Sequence, residues 1–314
     1  MATWKVLLTD GLEENGQTIL QESAEVVDRT GITADELLNV VGDYDALIVR
    51  GRTKVTSAVF AAGKNLKVVG RAGVGVDNID LNAARAHQVT VVNSPLATTV
   101  AVAELTMGLM LSLVREIPRA DSSMKNGKWL KKELEGNELF QKTLGVIGLG
   151  RIGQTVAHRA GAFDMRVMFY DPFLTAAANI HAEGWNAVSL DELLEASDFI
   201  TLHVPMTEQT RGMLGREQFA KMKNGVRIVD AARGGIIDEA ALLDALNSGK
   251  VAGAALDVFA TEPPGQVDLV CHPHVIATPH IGAQTVEAQA RAANDIATEI
   301  LRALRDEDLR WRVA

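Results

Sequence analysis

The 314-residue chain has one cysteine, Cys271, and only 4% aromatic residues. A single thiol excludes an intrachain disulfide and fits a reducing compartment. With so few rings, the interior has to be filled by Val, Ile, Leu and Ala. Positive charge is also scarce: 31 Lys and Arg stand against 40 Asp and Glu, for a net charge of −9. That balance argues against nucleic acid and against an anionic membrane surface as partners. Long apolar runs are missing too. "LTMGLMLSLV", Leu105 to Val114, is bounded by Glu104 and Arg115 and is too short to cross a bilayer. The opening "MATWKVLLTDGLEENG" turns acidic too early for a secretory signal. A cytoplasmic protein is expected.

What is present is an alternation of strand and helix signals. "WKVLLTD", "DALIVRG", "LKVVGRAG" and "VTVVNSP" are β-branched runs ended by Gly, Pro or Asp. Helical stretches are expected over 13–24, 56–62 and 80–87. A long helix, apolar on most sides, follows over 98–116, and then a polar stretch. A second series has strands "LGVIG", "RVMFYD", "DFITLHV", "VRIVDAA", "AGAALDV" and "HVIATPH". Its helices are expected at 151–163, 190–196, 216–222 and 239–248, and a last helix at 285–304 has no strand after it. Alternating strands and helices imply parallel sheets covered on both faces. The fold class is therefore α/β, with two doubly wound parallel-sheet, Rossmann-like domains. The long helix joins the two units, and the last helix is expected to pack back onto the first.

"TLGVIGLGRIGQTVAHRAG" carries the first chemical motif. Gly148, Gly150 and Gly153 sit between a buried-strand pattern and a helix. The first glycine permits the tight turn, the second lets backbone approach a pyrophosphate, and the third lets helix and strand pack closely. The helix N-terminus then offers free N–H groups to phosphate. Asp171 ends the next strand, 18 residues after Gly153, where an acid bonds the adenosine ribose and repels a 2′-phosphate. NAD is the expected cofactor.

Keto-acid reduction further needs a proton donor, a group that keeps it protonated, and a cation for the carboxylate. His280 in "TPHIGA", Glu262 in "ATEPPG" and Arg233 in "DAARGGIID" each follow a successive strand. A strand-end histidine alone is more often structural, but the three together form a set. Arg50, Arg52, Lys54 and Arg71 lie at strand ends of the first series and suit an anionic substrate. His272 and His274 beside Cys271 lie in a proline-containing loop, and no metal is expected. His203 is expected to line the cleft without reacting. His87, His158 and His181 read as helix or loop residues.

These motifs, with "IVRGRTKVT", "LKVVGRAGVGVDNIDL", "MKNGKW", "FYDP" and "GAALDVFATEPP", resemble the D-isomer-specific 2-hydroxyacid dehydrogenases over nearly the whole length. The resemblance implies that His280 is the acid/base, Glu262 its partner and Arg233 the carboxylate anchor. It implies cofactor contacts at Val74, Arg151, Ile152, Asp171, Val204, Ala231, Ala232, Asp257, Gly282 and Ala283, besides the three glycines. It implies substrate contacts at Arg50, Arg71, Val74 and Gly75. Also implied are a discontinuous, flavodoxin-like substrate domain, residues 1–95 plus 284–314, an NAD-binding Rossmann domain, residues 96–283, an active site in the cleft between them, and a homodimer around the long helix or a dimer of dimers.

The implied reaction is NAD-dependent oxidation of D-3-phosphoglycerate. Leu96, Ala97 and Thr98, in "NSPLATTVAVAE", replace an asparagine-containing loop of that branch. They keep open a second reading, a hydroxypyruvate, glyoxylate or other 2-keto-acid reductase. A third reading, an NAD-sensing protein-binding module, would need a docking extension. With the sequence ending at Ala314, a short form lacking the regulatory domain of longer relatives is expected.

Overall fold

The computed structural model describes residues 4–174 and 184–314. The chain divides into two units, Met1–Thr98 with Ala283–Ala314, and Thr99–Gly282.

In the first unit, strands β1 (Trp4–Leu8), β2 (Ala24–Asp28), β3 (Ala46–Val49), β4 (Val68–Arg71) and β5 (Thr90–Asn93) alternate with helices α1 (Glu14–Gln21), α2 (Ala34–Val40), α3 (Ser57–Ala62) and α4 (Leu81–Ala86). The sheet is parallel, in the order β2-β1-β3-β4-β5. That is the flavodoxin-like order, which reverses between β1 and β3. Successive β1 residues feed opposite cores: Val6 and Leu8 pack with Ile48 and Val68, whereas Leu7 packs with Leu47 and Val69.

The second unit opens with α5 (Thr99–Val114) and α6 (Ile117–Lys125). Then come β6 (Thr143–Ile147), α7 (Arg151–Gly161), β7 (Arg166–Tyr170), β8 (Asn186–Ala187), α8 (Leu190–Ala196) and β9 (Phe199–Leu202). Next are α9 (Arg216–Lys221), β10 (Val226–Asp230), α10 (Glu239–Asn247), β11 (Val251–Leu256), α11 (Asp268–Cys271) and β12 (Val275–Ala277). The last helix, α12 (Val286–Leu304), belongs to the first unit, where Ile296 and Ile300 pack against the β4 face. Gly16 lets α1 approach it: a Cβ there would sit 2.7 Å from the Ala293 carbonyl.

The second sheet is also parallel, ordered β12-β11-β10-β9-β6-β7-β8. Its direction reverses between β6 and β9, which places a ligand crevice beyond the carboxyl ends of those strands. The long helix is less free than its apolar sequence suggests. Met107, Met110, Leu113 and Val114 of α5 are buried against Val146, Val156 and Ala255 of their own unit. Its exposed stripe is Val100, Glu104 and Gly108.

Five of these elements are absent from the sequence reading, β2, β8, α2, α6 and α11, and the three longest have a physical reason. Strand β2 is an edge strand whose "AEVVD" is only partly buried, so it lacks the continuous apolar run of a central strand. Helix α2 announces itself by a capping box, Thr33 with Glu36, rather than by an apolar stripe. The polar stretch after α5 contains α6, with a proline in its first turn and only Ser123 fully buried.

Candidate active site

Gly148 and Gly153 build the first part of the site. Gly148 adopts φ +89°, and a Cβ on it would lie 2.7 Å from the His203 carbonyl oxygen. This is the crossing of β6 and β9 at the sheet's reversal. A Cβ on Gly153 would meet the Gly148 carbonyl at 2.1 Å, so only glycine lets α7 start so close to the turn. Around Gly150 there is open space. As N-cap of α7, Gly150 provides no side-chain cap, so the first N–H groups of the helix are left for a ligand. Asp171 steadies the turn: Leu149 N donates to its Oδ2 at 2.9 Å and Phe173 N to its Oδ1 at 2.9 Å. Each carboxylate oxygen keeps a lone pair for a hydroxyl. Ile152 and Val204 are partly buried and Arg151 is exposed. The open space at Gly150 and the uncapped helix start fit a dinucleotide pyrophosphate.

The second part lies on the loops after β10, β11 and β12, three adjacent strands. His280 Nδ1 is 2.8 Å from Glu262 Oε2, and Phe259 N donates to Glu262 Oε1 at 3.2 Å. Both side chains are partly open to solvent. His280 itself adopts φ +52°, a left-handed conformation uncommon for a residue with a Cβ. What holds it there is Asp257. This buried carboxylate accepts from Thr278 Oγ1 at 2.6 Å, Ile281 N at 2.8 Å and Gly282 N at 2.8 Å, on both sides of His280.

Arg233 follows β10. Its Nη1 donates to the Ala232 carbonyl at 2.7 Å. Gly234 presses the Arg233 turn onto the Glu262 loop, since a Cβ there would lie 1.8 Å from the Phe259 carbonyl. Asp230, at the end of β10, accepts from Ala232 N at 2.9 Å. Burial pushes its carboxyl up to about 7, against the opposing pull of the Ala232 N–H and Arg233. Ala231 and Ala232 are buried, as is Gly282. His203 is held neutral: burial lowers it to about 3, and Thr201 Oγ1 lies 3.0 Å from its Nε2.

In the first unit, Arg50 follows β3 and Arg71 is the last residue of β4. Arg50 pairs with Glu13, and its backbone N donates to Asp10 Oδ2 at 2.8 Å. Arg52 pairs with Asp10 at 3.1 Å and donates to the Ile32 carbonyl at 3.0 Å. Asp10 thus organises the loop after β3, at that sheet's reversal. The Arg71 guanidinium lies over Gly73, whose φ is +147°. Val74 and Gly75 follow in the same loop, with Asn93 donating to the Val74 carbonyl at 2.7 Å, and Ala283 also belongs to this unit.

Asp10, Glu13 and Thr278 were missed as organisers because each acts through distant chain, whereas Asp230 acts locally, on Ala232 N two residues ahead. Only a strand-end acid, as at Asp10 and Asp230, was available as a signal. Among the described residues no group of three or more His, Cys, Asp or Glu is arranged for a metal, and no helix is long and apolar enough to cross a membrane. His272 and His274 have ring centroids 5.6 Å apart, and His181 lies outside the described residues.

Comparison with known proteins gives the family. Residues 107–282 match the model of the D-isomer specific 2-hydroxyacid dehydrogenase, NAD binding domain. A D-3-phosphoglycerate dehydrogenase of Methanocaldococcus jannaschii is 51% identical over 306 residues, covering 96% of this chain and 58% of that protein. The chain spans a little over half the length of the curated relatives it matches. A glyoxylate reductase from Paecilomyes thermophila superposes with a TM-score of 0.91 at 30% identity, over 100% of this chain and 99% of that one. A D-lactate dehydrogenase from Aquifex aeolicus, complexed with NAD and lactic acid, gives a TM-score of 0.84 at 31% identity, over 96% of each chain. The chain belongs to the D-isomer specific 2-hydroxyacid dehydrogenase family, and residues 107–282 form its NAD binding domain.

Proposed function

We propose that this chain catalyses NAD-dependent oxidation of D-3-phosphoglycerate to 3-phosphohydroxypyruvate, the first step of serine biosynthesis. The observation that carries this reading is the His280–Glu262 pair at 2.8 Å, on a loop tied down by Asp257 beside the Arg233 turn. NAD, when bound, supplies the hydride acceptor. His280 takes the substrate hydroxyl proton on Nε2, because Nδ1–H is committed to Glu262. The Glu262 carboxylate stabilises the imidazolium so formed. Arg233 binds the substrate carboxylate and polarises the adjoining C–O bond. Arg50, Arg71 and the N–H groups around Val74 and Gly75 hold the substrate's remaining anionic group.

Gly148, Gly150, Arg151, Ile152 and Gly153 seat the pyrophosphate, Asp171 the ribose, and Val204, Ala231, Ala232, Asp257, Gly282, Ala283 and Val74 the rest of the cofactor. We further propose a cytoplasmic homodimer built around α5, and a substrate domain of residues 1–95 plus 284–314 with an NAD domain of 96–283.

A second reading, a reductase of glyoxylate or hydroxypyruvate, is favoured by two observations. Leu96 is 44% exposed in the loop that departs from the phosphoglycerate branch, and the glyoxylate reductase is similar over the full chain. Both are tested by following NADH oxidation with 3-phosphohydroxypyruvate, hydroxypyruvate, glyoxylate and pyruvate at equal concentration. Preference for the phosphorylated acid by about 100-fold in kcat/KM, on the order of 3 kcal/mol, supports the first. Equal or better activity on an unphosphorylated acid replaces it with the second.

A further inference from the structure

The amino ends of β10, β11 and β12 lie at the edge opposite the loops that carry Arg233, Glu262 and His280. A cavity of about 250 Å³ opens there, between the end of α5, the start of α6, the chain at 135–136 and the residues leading into β12. It is room for about eight waters at roughly 30 Å³ each.

Its charges are unevenly matched. Glu116 and Arg119 satisfy one another at 2.7 Å, and Arg119 also reaches Glu133 at 3.6 Å. Arg227, in β10, has no ion pair among the described residues. Its guanidinium donates to Asn137 Oδ1 at 2.5 Å and lies 5.9 Å from the centre of the Phe199 ring. Burial disfavours this cation, lowering its pKa, with the Glu116 charge only partly offsetting that. Glu135, lining the same cavity, has no hydrogen bond or ion pair among the described residues. Gly136 holds the Glu135 segment hard against α5, since a Cβ there would lie 2.4 Å from the Val114 carbonyl. His274 completes the charged lining from the β12 side.

An unpaired cation and an unpaired anion thus face one space without neutralising each other. The complement is a molecule carrying both charges. Leu113, Val114, Val275 and Ile276 supply an apolar wall for the remainder of it. We propose that this cavity binds an aliphatic α-amino acid, with its carboxylate on Arg227, its ammonium on Glu135 and its side chain on that wall.

Titration calorimetry of the whole chain tests this with L-leucine, isovalerate and isoamylamine. Leucine is expected to bind about tenfold or more tightly than either single-charge analogue. Glu135→Gln and Arg227→Gln are each expected to weaken leucine by about tenfold or more. Glu135 is exposed, so its variant keeps the fold and the test does not depend on Arg227 alone. Arg233→Gln is expected to leave leucine binding unchanged. Absence of leucine binding, equal binding of isovalerate, insensitivity to Glu135→Gln, or loss on Arg233→Gln overturns the proposal.

Discussion

Replacing Asp257 by alanine removes the one side chain that spans both flanks of His280. The carboxylate accepts three hydrogen bonds, from the Thr278 hydroxyl and from the backbone N–H groups of Ile281 and Gly282. Asp257 and Gly282 are buried, so water does not readily take its place. Leaving a buried donor unpaired costs about 1–3 kcal/mol. The Thr278 hydroxyl can turn to another acceptor, so the loss rests mainly on the two N–H groups and comes to about 3–5 kcal/mol. For a unit of this size that lowers the unfolding midpoint by about 6–20 °C. Asp257→Asn keeps one acceptor and opposes an amide N–H to the other donor, so about half of that loss is expected. The two variants are compared by thermal unfolding and by amide exchange at Ile281 and Gly282. Exchange at these two amides should rise before global unfolding, with His280 losing its φ +52° geometry and kcat falling in step. Protected amides and an unchanged midpoint in Asp257→Ala would refute the idea that this carboxylate sets the His280 loop.

Three further outcomes follow from the geometry. Asp230 has its carboxyl raised from 3.8 to about 7, so its contribution to stability is fully present below pH 3.8, declines as pH rises to about 7, and is constant above. Asp230→Asn should therefore flatten urea midpoints between pH 4 and 8, by on the order of 4 kcal/mol, and parallel profiles for the two proteins would contradict the burial argument. Glu262→Gln keeps a hydrogen-bond acceptor near His280 Nδ1 but removes the charge, so kcat should fall by about 100-fold with little change in KM; an unchanged kcat removes Glu262 from the chemistry. Gly153→Ala drives a methyl into the Gly148 carbonyl, so NADH affinity, read by its fluorescence, should drop with a stability loss of about 1–3 kcal/mol.

Much of the molecule was legible along the chain because local physics wrote it there. The parallel strands are buried on both faces, so they read as unbroken β-branched runs, as in "TLGVI" and "VRIVD". Gly148 and Gly153 stood out because the turn demands φ +89° at one and a close contact at the other. His280, Glu262 and Arg233 were visible as strand-end residues of successive strands, the positions where an open α/β sheet presents its ligands.

Other features needed the third dimension. The sheet orders β2-β1-β3-β4-β5 and β12-β11-β10-β9-β6-β7-β8 come from long-range pairing, which no local pattern encodes. Strand β2 escaped because an edge strand carries a weaker apolar signal, and α6 because almost none of it is buried. A run of arginines read as one cationic cluster, whereas folding gives Arg50 to Glu13 and Arg52 to Asp10, residues about 40 positions away in sequence. That the Asp257 carboxylate is tied to amides about 25 residues ahead was decided only by tertiary structure. Composition and periodicity determined which segments become strands and helices, because burial and backbone propensity act on neighbours in sequence. Which charges meet, and which are left facing a cavity unpaired, was decided only when the sheets brought distant loops together, because electrostatic partnership depends on distance in space.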